Sequence, residues 1–259
     1  MTSSIMKNNF ILLNNKVAKI IFSLIVILFI WEMLALIVND SYFLPDVIET
    51  GKSLVNIIVS GSFFKVIFTA FYRVFSGLML GILTGISVAV LCHRFDIVNT
   101  ILSPIISIMK ATPVACIIVL LWIRMNYTEI AVFVVVLMVL PIVWQNVYDG
   151  LRSIDRSMLE VTEVFELSRL EKIKVLIIPS VLTYLLPAIV TSVGLAWKAE
   201  VAAEIMTNSN MGKLIYDFKT VSYDTASRFA WTVVIVILSI IFESITKKLF
   251  GRMINDLKA

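Results

Sequence analysis

Six runs of predominantly apolar residues divide this chain, near 17–38, 66–92, 100–123, 129–148, 174–206 and 229–250. A helix crosses the hydrocarbon core of a bilayer with about 20 apolar residues, because every backbone N–H and C=O must find its partner inside the segment there. That pattern predicts an all-α polytopic membrane protein of about six transmembrane helices. Composition agrees: 59% of the 259 residues are apolar and 15% are charged, where a soluble domain has about 25% charged. The longest polar stretches reach only about 25 residues, too short for an independent core. The chain therefore reads as one transmembrane domain over 1–259. Any large domain that captures a solute or supplies energy must come from another chain.

Lys7, Lys16 and Lys19 precede the first run, and no small-residue cleavage site follows it. It reads as a retained span, not a signal peptide. With the N-terminus inside, the inner segments hold Arg94, Arg152, Arg156, Arg169, Lys172, Lys174, Lys247, Lys248, Arg252 and Lys258 as well. The outer segments hold only Lys52, Lys65, Arg124, Lys213, Lys219 and Arg228. The positive-inside rule then puts both termini, and the segment 149–173, in the cytoplasm. The net charge of +4 reflects this distribution and implies no nucleic-acid partner. The fifth run is too long for one straight crossing. It holds Pro179 and Pro187, which predicts that part of it bends or lies outside the bilayer.

Several features exclude chemistry within the chain. Gly51-Lys52-Ser53 lacks the earlier glycine of a phosphate-binding loop, since Asp46 stands five positions before Gly51. Cys92 and Cys116 form no CxxC and read as packing residues. His93, the only histidine, flanks Arg94 at an inner loop and reads as a surface residue. No nucleophile–base pair, carboxylate dyad or metal-ligand cluster stands out, so neither enzyme activity nor a bound metal or cofactor is expected.

Gly77, Gly81 and Gly85 recur every four residues on one face of the second span. Missing side chains let another helix approach closely there. Charged residues inside apolar runs face a cavity or a partner. Lys110, just before Thr112-Pro113, stands where a proline frees a backbone carbonyl. Trp197, Lys198 and Glu204 follow near the end of the fifth run. Together, Lys110, Thr112, Trp197, Lys198 and Glu204 are the candidate translocation-path residues. For Lys198, two readings stay open: contact with an anionic substrate, or a snorkelling or intersubunit ion pair. Glu200 and Glu204, four apart, share a helix face, and Glu204 reads as structural or gating. Arg73 reads as a snorkelling residue, and Glu32 beside Trp31 as an anchor.

Between the fourth and fifth runs lies a charged, helix-like segment, Glu160 to Pro179. It mixes Glu160, Glu163, Glu166 and Glu171 with Arg169, Lys172 and Lys174. A helix lying on anionic headgroups would present a basic face instead, so the mixed charge suits a protein groove. The segment resembles the EAA motif of ABC importer permeases. With Pro179 as the motif proline, Glu160 falls on its glutamate, Val161 and Thr162 on its alanines, Leu176 on its isoleucine and Ile178 on its leucine. The motif glycine falls on Glu166, so the turn must form without the usual φ > 0 residue or the helix runs on.

The resemblance extends over about 30–250 through Trp31-Glu32, Phe43-Leu44-Pro45, Phe71-Tyr72-Arg73-Val74-Phe75-Ser76-Gly77, Leu140-Pro141-Ile142, Asn146 with Gly150, and Gly194-Leu195-Ala196-Trp197 with Ala203-Glu204. These look like the nitrate, sulfonate, taurine and bicarbonate branch of binding-protein-dependent permeases. Trp122-Ile123-Arg124 and Met211-Gly212-Lys213 depart from that branch's usual Trp-Phe-Gly and Gly-Leu-Gly.

The resemblance implies the type I (MetI-like) permease fold, in a bacterial inner (plasma) membrane. It implies a coupling helix within 155–173, with Glu160, Val161, Thr162, Glu163, Glu166 and Pro179 as ATPase-coupling residues. Its implied partners are a cytoplasmic ABC ATPase dimer carrying ATP and Mg, an extracytoplasmic solute-binding protein, a second permease copy and membrane lipid. Substrate would pass by alternating access; a small anion or a vitamin precursor both fit. Two other classes stay in view: a membrane scaffold that docks a cytoplasmic partner without a transport path, and an ion-driven secondary transporter, against which the lack of a second inverted half argues.

Overall fold

The computed structural model describes residues 16–258, with side-chain surroundings for all of these except 16, 17, 252 and 254–258. Lys7 lies outside the described residues, as do the side chains of Lys16, Arg252 and Lys258. The described chain is helical throughout: α1 (Lys16–Val38), α2 (Val47–Val59), α3 (Phe63–Arg94), α4 (Asp96–Ala111), α5 (Val114–Trp122), α6 (Tyr127–Arg152), α7 (Arg156–Val164), α8 (Arg169–Lys172), a wide π turn (Ile173–Ile177), α9 (Ile178–Met206), α10 (Asn210–Thr220) and α11 (Thr225–Lys258). Five helical segments are long and apolar enough to cross a membrane, and α4 with α5 makes a sixth if the bent pair counts as one span.

That third span is not a single rod. α4 and α5 meet at 98° across Thr112-Pro113. The ring of Pro113 disfavours the helical region for the residue before it, and Thr112 turns to φ −77°, ψ 125°. The Thr112 backbone N–H and hydroxyl both donate to the Ile108 carbonyl, at 3.0 and 2.8 Å. The end of α4 is thereby closed.

The fifth run behaves differently from a proline-broken span. Arg169–Met206 continues for 38 residues, about 57 Å at 1.5 Å per residue. It passes both Pro179 and Pro187 without a break. A bilayer core is only about 30 Å thick, so its excess length lies outside. Just before Pro179 the helix widens over Ile173–Ile177, and the Ile178 N–H donates to the carbonyl of Ile173, five residues back. A wide turn of this kind loosens the helix at the point where the proline ring would press on the preceding turn.

The described residues divide into two compact units: 16–60 with Asp217–Val233, and Gly61–Tyr216 with 234–258. In the first, the Trp31 indole N–H donates to the Pro45 carbonyl at 3.0 Å, and Glu32 accepts from the Val47 N–H at 3.0 Å. Trp31 and Glu32 thus anchor the entry to α2 rather than the protein to the bilayer surface. Asp46 caps α2 through the Glu49 N–H. Gly51-Lys52-Ser53 lies within that helix, where it forms no phosphate-binding loop. Trp31 packs on Phe229 with ring centroids 5.8 Å apart, and the Thr225 hydroxyl donates to the Tyr42 carbonyl at 2.8 Å.

In the second unit α3, α6 and α9 form the core. A Cβ placed on Gly77, Gly81 or Gly85 would lie 2.6, 2.7 and 2.8 Å from the Cβ of Val135, Val139 and Val143, respectively. Three glycines meet three valines, each pair one turn further along, so α3 and α6 approach to backbone distance along this seam. Val74 and Leu78 on α3 and Val134 on α6 are buried beside it.

Candidate functional site

The charged segment after α6 folds as a helix, a turn and a second helix, not as one helix over 155–173. Asp155 accepts from the Ser157 N–H at 3.1 Å and opens α7. The helix stops at Phe165, and Glu166 takes φ +51°. The Glu166 N–H donates to the Glu163 carbonyl at 2.9 Å and the Leu167 N–H to the Thr162 carbonyl at 3.1 Å. This pair of bonds is the Schellman arrangement, whose left-handed position glycine usually fills. A Cβ there costs about 1 kcal/mol or more, and the turn forms all the same. Ser168 and Glu171 start α8 with reciprocal hydrogen bonds of 2.8 and 3.3 Å. Across the turn Lys172 stands 3.7 Å from Glu163.

The six coupling candidates do not share one surface. Glu160, Val161, Glu163 and Glu166 are exposed on α7 and its turn. Thr162 is buried, with its hydroxyl on the Leu159 carbonyl at 2.6 Å, so it shapes the turn from within. Pro179 is half-buried at the start of α9. Apolar residues add to the exposed face: Val161, Val164 and Phe165 are 49%, 81% and 73% exposed.

The path candidates also separate. Lys110 is exposed, donates to the Gln145 side chain at 3.1 Å and lies 5.7 Å from the Trp144 ring centre. Gln145 in turn donates to Asp149 at 3.0 Å. This polar strip joins α4 to α6, and sequence reading found only its lysine. Thr112 closes the end of α4. Lys198 is exposed in a groove of about 490 Å³ between α9 and α11, lined also by Ser239 and Glu243. Lys110 and Lys198 line different surfaces.

Trp197 and Glu204, both among the path candidates and the latter read as structural or gating, are packed inside. Trp197 is 2% exposed, with its ring centroid 6.2 Å from Phe242. Glu204 is fully buried and bonded on both oxygens. Oε1 accepts from the Arg73 guanidinium and the Asn210 amide, both at 2.8 Å, and Oε2 from the Met211 N–H at 3.0 Å. Arg73 also reaches the Thr128 hydroxyl at 3.0 Å. It is 5% exposed and does not snorkel: a carboxylate inside the bundle holds it. Glu200, one turn before Glu204, is fully buried as well. The separation of 131 residues between Arg73 and Glu204 left no local signal for the pair beyond two charges in apolar runs.

Asn208 and Asn210 take φ +49° and +46° after α9, which lets the chain fold back onto Glu204. Gly212 completes the contact, since a Cβ there would lie 2.1 Å from the Glu204 backbone carbon. Cys92 and Cys116 are free thiols. Among the described residues no group of His, Cys, Asp and Glu could hold a metal.

Membrane-length helices around a close-packed seam, with a polar helical turn set between two of them, define a multi-pass membrane protein. Residues 77–255 match the family of binding-protein-dependent transport system inner membrane components, and the chain belongs to that family. It is 25% identical over 233 residues to SsuC of Bacillus subtilis (strain 168), a permease protein named for aliphatic sulfonates transport; the match spans 89% of this chain and 84% of SsuC. It is 26% identical over 187 residues to the nitrate import permease protein NrtB of Leptolyngbya laminosa, spanning 70% and 59%. Among solved structures, the MetNI methionine ABC transporter in an inward-facing conformation matches with TM-score 0.61 and 15% identity, over 77% of this chain and 99% of that one. An amino acid ABC transporter matches with TM-score 0.60 and 16% identity, over 73% and 91%. The fold is that of ABC importer permeases.

Proposed function

We propose that this permease carries a small anion through the bacterial inner membrane, driven by a separate ATPase that docks on the α7 turn. The exposure of Val161, Val164 and Phe165 carries this reading. Three large apolar side chains side by side on a charged helix, at a polar end of the bundle, mark a protein interface. Their neighbours Glu160 and Glu163 supply charge for a groove of mixed polarity. Both termini and this turn lie on the cytoplasmic side, by the distribution of Lys and Arg.

The working assembly is two permease copies, two cytoplasmic ATPases that bind ATP and Mg, and an extracytoplasmic solute-binding protein. This chain performs no hydrolysis. When the ATPases close, they displace α7. The turn at Glu166 passes that displacement to the helix Arg169–Met206, whose far end bears Glu204 on Arg73. One helix thus reaches from the docking face to the buried ion pair, and the bundles alternate access as rigid bodies. Lys110, exposed beside Gln145 and Trp144, supplies positive charge to the path, while Lys198 lies on a separate surface in the groove with Glu243.

Relatives named for sulfonates, nitrate and bicarbonate support a small anionic substrate. The test is ATPase activity of the purified complex in nanodiscs, with binding protein and a panel of small anions and vitamin precursors, beside a Glu160→Lys variant. Stimulation by one anion, lost in the variant, is the expected result. Association of all subunits without any ligand response, equal in both proteins, would return the chain to a scaffold role.

A further inference from the structure

A cavity of about 910 Å³ opens at the α7 end of the bundle, between α3, α6, α7 and α9. Its walls are apolar: Ile86 and Val90 from α3, Leu151 from α6, Ile177 from the π turn, and Val181 and Leu185 from α9. Its rim is cationic. Arg94 closes α3, Arg152 closes α6 and Arg156 opens α7, and all three line the cavity and are exposed. None of them forms an ion pair among the described residues. Arg94 and Arg152 lie only against the Phe95 and Tyr148 rings, at 5.8 and 5.7 Å. Of the acidic residues near them in sequence, Asp149 is engaged by Gln145 and Asp155 by the Ser157 N–H, and Asp96 and Glu160 form no ion pair with them among the described residues.

We propose that this cavity binds one anionic phospholipid, with an acyl chain between α3 and α9 and its phosphate on Arg94, Arg152 and Arg156. Depth favours it. From Arg94 down to Ile86 is about 12 Å along α3, and from Ile173 to Leu185 about 18 Å along the helix that includes α9, at 1.5 Å per residue. Half of a bilayer core is about 15 Å, so the walls match one leaflet's acyl depth and the arginines stand at headgroup height. Wall chemistry favours it as well. An inserted non-helical peptide would leave backbone N–H and C=O groups without partners among these side chains, and a hydrocarbon tail has none to satisfy. The three unpaired guanidiniums complement a phosphate, as basic pockets between membrane helices do for anionic headgroups. Leu159 on α7 lines the same cavity, so the bound lipid touches both the docking helix and α9.

The experiment uses the full chain in its assembled complex, in nanodiscs of dioleoyl phosphatidylglycerol and dioleoyl phosphatidylcholine in equal parts, and counts retained lipids by native mass spectrometry. Wild type is expected to retain phosphatidylglycerol over phosphatidylcholine. The triple variant Arg94→Gln, Arg152→Gln, Arg156→Gln is expected to weaken that retention at least about tenfold. Leu182→Trp with Val181→Trp, which narrows the acyl slot on the α9 wall and spares the arginines, is expected to weaken it too. Equal retention of the two lipids by wild type overturns the proposal without any variant having to fold. Unchanged phosphatidylglycerol retention in either folded variant overturns it as well. A photo-reactive side chain at Val181 that captures a protein segment instead of lipid would assign the cavity to a protein partner.

Discussion

At the scale of single residues, Glu166 occupies a backbone conformation that its own Cβ opposes. At the corresponding place after α9, a residue tolerant of φ > 0, Asn208, takes φ +49°. The Ser209 N–H there reaches the Glu204 carbonyl at 3.0 Å, as the Leu167 N–H reaches Thr162. Replacing Glu166 by glycine should relieve about 1 kcal/mol and raise the thermal midpoint by about 2–4 °C, with the turn and ATPase docking intact. No gain in a thermal scan would mean that surrounding contacts, not the chain's own preference, set this turn. Arg73 and Glu204 present the opposite case, two charges buried so that each depends on the other. Arg73→Leu leaves the carboxylate of Glu204 facing Asn210 and Met211 with no cation, and should destabilise the protein by about 3 kcal/mol. Chemical denaturation in detergent, compared with an exposed control such as Lys219→Leu, checks it. The double variant Arg73→Leu, Glu204→Leu should recover part of the loss, because it removes the stranded charge.

At the scale of elements, the glycine seam was legible because a four-residue repeat maps onto one helix face without any knowledge of the partner. The partner was not legible: Val135, Val139 and Val143 belong to a stretch, 130–144, that is apolar throughout, and nothing local tells its seam from its lipid face. Gly81→Val should force Val139 and α6 outward and destabilise the bundle by about 1–3 kcal/mol. The same change at Gly61, whose added Cβ meets nothing within 4 Å, should cost far less on packing grounds. Unequal melting temperatures of the two variants are the expected readout. The prolines divide in the same way. Pro113 turns the chain by 98° because Thr112 goes extended and closes the end of α4. Pro179 sits just past a wide turn and stays within a continuous helix. Residue identity alone did not separate these outcomes.

At the scale of the whole molecule, the proposed docking face lies just before one long helix and the Arg73–Glu204 pair near its far end, so under the proposed function transmission is a property of that helix. Val164→Asp with Phe165→Asp should leave this chain folded, since both side chains are exposed. It should abolish co-purification of the ATPase while the binding protein still associates from the other side. Loss of both partners would instead point to a general folding defect.

The class of fold followed from sequence alone, because a bilayer demands about 20 apolar residues per crossing and few structures meet that demand. The charged segment before Pro179 stood out too, since its charge breaks the apolar rhythm and its spacing to Pro179 lies within one stretch of chain. Only the tertiary structure decided which embedded charges are open and which are spent. Lys110 and Lys198 stay exposed on separate surfaces, while Glu204, likewise a charge in an apolar run, is held by Arg73. The reason is physical: a buried charge is settled by the partner that folding brings to it, and here the partner lies 131 residues away.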